Sequence, residues 1–366
     1  MRPSRTPSAF AGSNRPGSIA ERRPAPSSHR PAPRLVRAVA AMLMLVLVAC
    51  GDGDDARPVA RTDVPEPGVA PAVTGAPPGR IVPLPGQPEG LALDSRTGTL
   101  AVAVRKPDAL VLVDSNTGVE RARVALGSAA RHLQLAAPGG PVLVPAEGND
   151  RLYRVALPGG NVIGETAVGR QPHDAAPAAG GRIFVGDELA DTVTLISPDG
   201  STRKLPAPAM PGGVASSPDG SVVVVVGVRG RQIEAYDPEG RSLGTAPCGV
   251  GPTHVRAGAG GLFYVADTQG DSVLVFQAGP GGVRQVGQVP AAGAPYGLAV
   301  DATRRRLYVT LTGTNELRSY RIEGQDLVAD KTWATVRQPN DVAVDETTGR
   351  VVVAGTAGGE LQFLDP

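Results

Sequence analysis

One tryptophan, Trp333, two cysteines and three lysines are all that 366 residues contain of these types. Each scarcity excludes something. Cys50 and Cys248 cannot form a C-x-x-C pair, and no H-E-x-x-H run occurs, so neither a redox dithiol nor a zincin-type protease is encoded. The longest apolar run, 38–49, has twelve residues. A membrane-spanning helix needs about 20. Arginine stands almost everywhere that lysine could. With the abundance of Ala, Gly and Pro, this has the composition of a high-GC bacterial genome.

The charge is uneven. The chain is formally +1, but residues 1–49 hold eight arginines against one glutamate, leaving 28 basic and 34 acidic residues beyond them. A body of about −6 lacks the basic stripe of a nucleic-acid binder. Basic residues up to Arg37, then the twelve-residue apolar run, then small residues form the layout of a secretory signal. Leu47-Val48-Ala49-Cys50-Gly51 resembles the lipobox of bacterial lipoproteins. That resemblance implies lipidation of Cys50, an extracytoplasmic location and membrane attachment. Cys248 is then left without a partner and reads as a small buried apolar residue. The expected organisation is a signal peptide with a basic leader over 1–49, a lipid-anchored flexible tether over 50–79, and a folded body over 80–366.

The body repeats itself seven times, at 40 to 44 residues per unit. Each unit begins near a short turn, often with proline, as in Gln87-Pro88-Glu89-Gly90, Gln171-Pro172-His173-Asp174, Ala294-Pro295-Tyr296-Gly297 and Gln338-Pro339-Asn340-Asp341. Three or four short strands follow, separated by Asp, Asn and Gly turns that tolerate left-handed backbone. In the first unit the expected strands are 91–94, 99–104, 109–113 and 119–126. Runs such as Val222–Val226 lack polar alternation, as strands buried on both faces do. This period predicts an all-β, seven-bladed β-propeller with four-stranded blades. The last unit lacks an outer strand, and 80–84 precedes the first unit as a spare one. The expectation is that it completes the last blade and closes the ring.

The units resemble YVTN-repeat propellers, through Leu307-Tyr308-Val309-Thr310, Leu262–Asp267, Arg182–Asp187 and the Pro295–Asp301 element. WD40 repeats do not fit a chain with one tryptophan. The resemblance implies a group that spans lactonase-like enzymes, surface-layer-like proteins and binding proteins.

Function should lie where the repeats differ. One pair of residues precedes each inner strand: Glu89/Gly90, Arg131/His132, His173/Asp174, Gly212/Gly213, Thr253/His254, Tyr296/Gly297 and Asn340/Asp341. In such a propeller this loop lies at one end of the central channel. The ligand-binding candidates are therefore Glu89, Arg131, His132, His173, Asp174, His254, Tyr296, Asn340 and Asp341. Three of the four histidines of the chain are among them. Imidazoles and carboxylates suit a divalent metal, which makes His132, His173 and His254 candidate ligands and opens lactonase-like hydrolase or metal-dependent lyase chemistry. The competing reading is structural, with these groups capping backbone and bridging blades. His132 and His254 hold the second place of their pairs and His173 the first. Neighbours in extended backbone point to opposite sides, so convergence is not required. The reading preferred on these grounds is a binding module for a protein or small polar ligand, without a cofactor or catalysis, with a cell-envelope or redox-complex scaffold as the third possibility. Charged loops between second and third strands, among them Glu147, Asp150, Glu188, Asp191, Asp271 and Asn315, read mostly as a solvated rim.

Overall fold

The computed structural model describes residues 64–366. The leader, Cys50 and the first part of the expected tether lie outside the described residues. Among the described residues no helix is long and apolar enough to cross a membrane.

Seven four-stranded antiparallel sheets form the blades of a β-propeller. The inner strands run in order over Gln87–Asp94, Gln134–Leu135, Pro172–Ala178, Pro211–Ser216, Pro252–Ala257, Pro295–Asp301 and Pro339–Val344. Blade 1 matches its predicted strands to within a few residues, with an outer strand, Glu120–Val124, shorter than expected. Blade 2 departs from the plan, because its inner strand keeps only two residues.

Seven apolar clusters hold the ring, one at each blade–blade interface. This is why the central strands need no polar face. Val223, Val224, Val225 and Val226 are all fully buried, two toward blade 3 and two toward blade 5. Cys248 belongs to the core between blades 4 and 5, and burial pushes its thiol up.

Closure follows the expected route. Arg80–Pro83 pairs antiparallel with Glu360–Leu364, placing Val82 opposite Leu361. Leu84 N–H donates to the Gly359 carbonyl at 2.7 Å. The Arg80 guanidinium lies 4.2 Å from the centre of the Phe363 ring and donates to the carbonyls of Asn116 and Thr117 in blade 1.

A second device joins the blades at the loops. Asp150, Asp191, Asp271 and Asn315 all sit at positive φ, between 47° and 56°. Asp and Asn tolerate this region better than other non-glycine residues. Each side chain accepts a hydrogen bond from the next blade, at Gln171, Met210, Ala294 and Gln338 N–H respectively, over 2.8 to 3.0 Å. The donors are also left-handed residues, each directly before a proline. These four polar residues are therefore interblade latches rather than solvated rim. In blade 4 the corresponding residue is Arg231, at φ 49°, whose side chain has no acceptor to offer.

Residues 64–79 contain neither strand nor helix, in keeping with their composition, but they lie against the propeller. Gly68 N–H donates to Thr312 Oγ1 at 2.8 Å, Gln338 Nε2 to the Gly68 carbonyl at 2.7 Å, and Asn315 Nδ2 to the Pro71 carbonyl at 3.0 Å. Side-chain amides from blades 6 and 7 thus satisfy backbone that has no ladder of its own.

Candidate metal centre at the channel mouth

The three histidines meet. The His132 ring centre lies 4.8 Å from that of His173 and 4.0 Å from that of His254. One ligand nitrogen from each lies within 4.8 Å of the other two. All three side chains are buried, at 5 % exposure or less. Strict alternation misjudged this convergence because the pairs do not lie on regular strand. The inner-strand register shifts between Pro88 and Leu91, Pro172 and Asp174, Pro211 and Gly213, Pro252 and Val255, Pro295 and Leu298, and Pro339 and Asp341. A bulge places two residues opposite one and re-aims their side chains. In blade 2, Arg131 and His132 lie in irregular backbone before the strand. Glycine at second places of the pairs brings the blades close enough to meet. A Cβ on Gly90 would stand 2.0 Å from the Arg131 carbonyl, and one on Gly297 2.9 Å from the Asn340 carbonyl.

Each histidine is oriented differently. His254 Nδ1 lies 2.9 Å from the Tyr296 carbonyl, which can only accept, so the proton is on Nδ1 and the Nε2 lone pair is free to bind. The Tyr296 ring packs edge-on against that imidazole at 4.1 Å. His132 Nε2 is buried with no hydrogen-bond partner. His173 Nδ1 lies 3.4 Å from Glu147 Oε1 and 3.3 Å from Glu188 Oε2. Those separations exceed the roughly 2.7–2.9 Å of a well-formed charge-assisted hydrogen bond, so the contact is an ion pair. Glu147 and Glu188 are the residues that the sequence reading missed. Both belong to loops taken as solvated, yet Glu147 is largely buried and Glu188 is buried.

Electrostatics separates the three rings. Burial, reinforced by neighbouring cationic groups, holds His132 and His254 well below the usual imidazole range. Burial opposes charge on His173 as well, but Glu188 and Glu147 outweigh it and raise His173 to about 9. Burial would raise Glu147; His173, Arg131 and Arg105 together bring it down to about 2.

A pH prediction follows for metal-free protein. His173 is raised from 6.5 to about 9, so its contribution is complete below pH 6.5 and is lost as pH rises through 9. The size is on the order of 3 kcal/mol, since one unit is worth about 1.4 kcal/mol. Denaturant midpoints measured in chelator should fall between these two pH values in the native chain and stay flat in His173→Gln. A native chain whose midpoint does not change over that range contradicts the ion-pair assignment.

The remaining candidates sort into two groups. Arg131 bridges Glu147 and Glu66, each at 3.4 Å, and Arg105 Nη2 pairs with Glu147 Oε2 at 2.9 Å. Glu89 accepts from Asn340 Nδ2 at 3.0 Å and lies 3.6 Å from Arg105 Nε. These form a charged collar beside the histidines. Asp174 and Asp341 point elsewhere and act as blade staples. Asp174 Oδ2 accepts from Val214 N–H in blade 4 at 3.0 Å, and Asp341 Oδ2 from Leu91 N–H in blade 1 at 2.8 Å. Burial pushes Asp341 up to about 6.

The mouth is narrowed by the segment that precedes the first blade. Val64, Pro65 and Glu66 lie over His173, Glu188 and His254, leaving a cavity of about 20 Å³. That is room for roughly one water or one ion. Sequence held no signal for this cover, because nothing in a Pro-rich coil says where it lies.

Fold and site together define a seven-bladed β-propeller with a histidine cluster on its axis. No protein-family model and no curated protein matches the chain. Many solved structures do match. A chain of hydrazine synthase from Kuenenia stuttgartiensis is 17 % identical at TM-score 0.64, over 80 % of this chain and 99 % of that one. Virginiamycin B lyase from Staphylococcus aureus is 13 % identical at TM-score 0.64, over 78 % of this chain and 97 % of its own. A chain of a mitotic checkpoint complex, 14 % identical, reaches 0.67 over 84 % and 98 %. These likenesses carry the fold and nothing finer. Such propellers occur both as lyases and within protein complexes.

Proposed function

We propose that this is an exported propeller, held to a membrane by lipid on Cys50, that binds one transition-metal cation through His132, His173 and His254. The observation that carries the metal reading is the convergence of three buried imidazoles, one nitrogen of each within 4.8 Å of the other two and His132 Nε2 unpartnered, beside a cavity of about 20 Å³ that His173 and His254 line. Tyr296 and the Glu147–Glu188 pair engage the Nδ1 side of His254 and His173 and leave Nε2 for the metal. Partners of this kind on the outer nitrogen are the usual support of metal-binding histidines. An all-nitrogen set favours zinc, copper or nickel over magnesium or calcium. Tetrahedral zinc, with bonds of about 2.0–2.1 Å, would hold its nitrogens about 3.4 Å apart, so side-chain rotation would draw nitrogens now within 4.8 Å of one another in by up to about 1.4 Å.

Binding is a better reading than turnover. One solved neighbour is a catalytically inactive histidine-to-alanine variant of virginiamycin B lyase with quinupristin. With Val64–Glu66 in place, this cavity has no room for an organic substrate. The test is zinc binding by tag-free protein, with one ion per chain expected and none overturning the proposal. Anchoring rests on the apolar run ending in Leu47-Val48-Ala49-Cys50. Native chain expressed in a bacterium should fractionate with membranes, and Cys50→Ser should not. Equal partitioning of the two would end that part of the proposal.

A further inference from the structure

The opposite end of the channel is open. There the inner strands surround a funnel of about 430 Å³, lined by residues of all seven blades. That volume is in the range of small-molecule sites. Leu93, Leu135, Val300 and Val344, each partly exposed, supply apolar wall.

The second residue after each bulge pair makes a ring: Ala92, Gln134, Ala176, Ala215, Arg256, Ala299 and Ala343. Five blades keep alanine and two do not. Gln134 is committed: its Nε2 donates to Asp174 Oδ1 at 2.9 Å and to the Val214 carbonyl at 2.6 Å. Arg256 is not. Its one hydrogen bond among the described residues runs from Nη1 to the neighbouring Val255 carbonyl at 3.1 Å. Asp174 Oδ2 stands 3.9 Å away, beyond hydrogen-bond reach. The oxygens of Asp174 already accept from Gln134, Ala175 and Val214, and those of Asp341 from Leu91 and Val342. These two buried carboxylates balance the arginine's charge without occupying its N–H groups. The side chain stays 19 % exposed toward the funnel. A guanidinium has five N–H donors in a planar fork suited to a carboxylate.

We propose that this funnel binds a small organic anion, a carboxylate with an apolar tail, whose head group pairs with Arg256 and whose tail lies along the apolar wall. The site is separate from the histidine cluster and does not depend on a metal. Asp174 and Asp341 lower the local positive potential, so the tail must supply part of the affinity.

The test is calorimetric titration of the full chain with octanoate, 1-octanol and octylammonium, probes that share a tail and differ in charge. Octanoate is expected to bind at least about tenfold tighter than octanol, the difference that one charge-assisted pair of about 1.4 kcal/mol gives, and octylammonium weakest. Arg256→Met should bring octanoate down to the level of octanol. Equal affinity of octanoate and octanol for the native chain, or no binding of octanoate, overturns the proposal. The charge series is read on native protein, so it decides the matter even if the variant folds poorly. Zinc binding measured alongside separates this result from the fate of the histidine site.

Discussion

Removing residues 80–85 is expected to cost the propeller most of its stability. The deletion removes the outer strand of blade 7 and the Leu84 N–H bond to Gly359. It also removes Leu84 and Val82 from the core between blades 7 and 1. Burial of one aliphatic side chain is worth about 1.5–3 kcal/mol and each net hydrogen bond about 1 kcal/mol. The combined loss is therefore on the order of 5 kcal/mol, comparable with the whole stability of many domains. It also uncovers the edge of Glu360–Leu364, an invitation to intermolecular pairing. Calorimetric unfolding should show a large drop in midpoint or outright aggregation. A truncated chain that melts with the native one would show that the ring does not depend on this strand.

The second large effect concerns the histidines. His132→Ala and His254→Ala should each weaken zinc binding at least about a hundredfold, or roughly 2.7 kcal/mol. Neither should disturb the blades greatly, because both side chains face the axis cluster rather than the interblade cores. His254→Ala also loses the bond to the Tyr296 carbonyl, so His132→Ala is the cleaner variant. Cys248→Ser should leave zinc affinity unchanged, since that thiol is enclosed between blades 4 and 5. Retention of tight zinc binding when both histidines are absent would move the metal elsewhere or make it adventitious.

Much of the architecture was legible because a propeller repeats its physics. Period, turn chemistry and unalternated valine runs each reflect a blade packed on both faces, and the spare strand at Arg80 reveals the closure. The site was harder to read. The identity of the axial residues could be listed from the unequal pairs, but their direction depended on a bulge, which has no signature in one short segment. Glu147 and Glu188 looked like solvent-facing loop charges, since sequence does not say that blades 2 and 3 bring them onto His173. The latch residues Asp150, Asp191, Asp271 and Asn315 were visible as turn formers, while their bonds to the next blade were not. Arg256 is legible in the sequence as a charged residue in a ring position that five other blades fill with alanine.

The central claim is that three imidazoles on the axis hold one metal ion. X-ray absorption at the zinc edge of the one-to-one complex tests it most directly. Three nitrogen neighbours at about 2.0–2.1 Å, with the multiple scattering of imidazole rings, are the predicted result. A shell of oxygens alone, or a spectrum unaltered by His132→Ala, would contradict it.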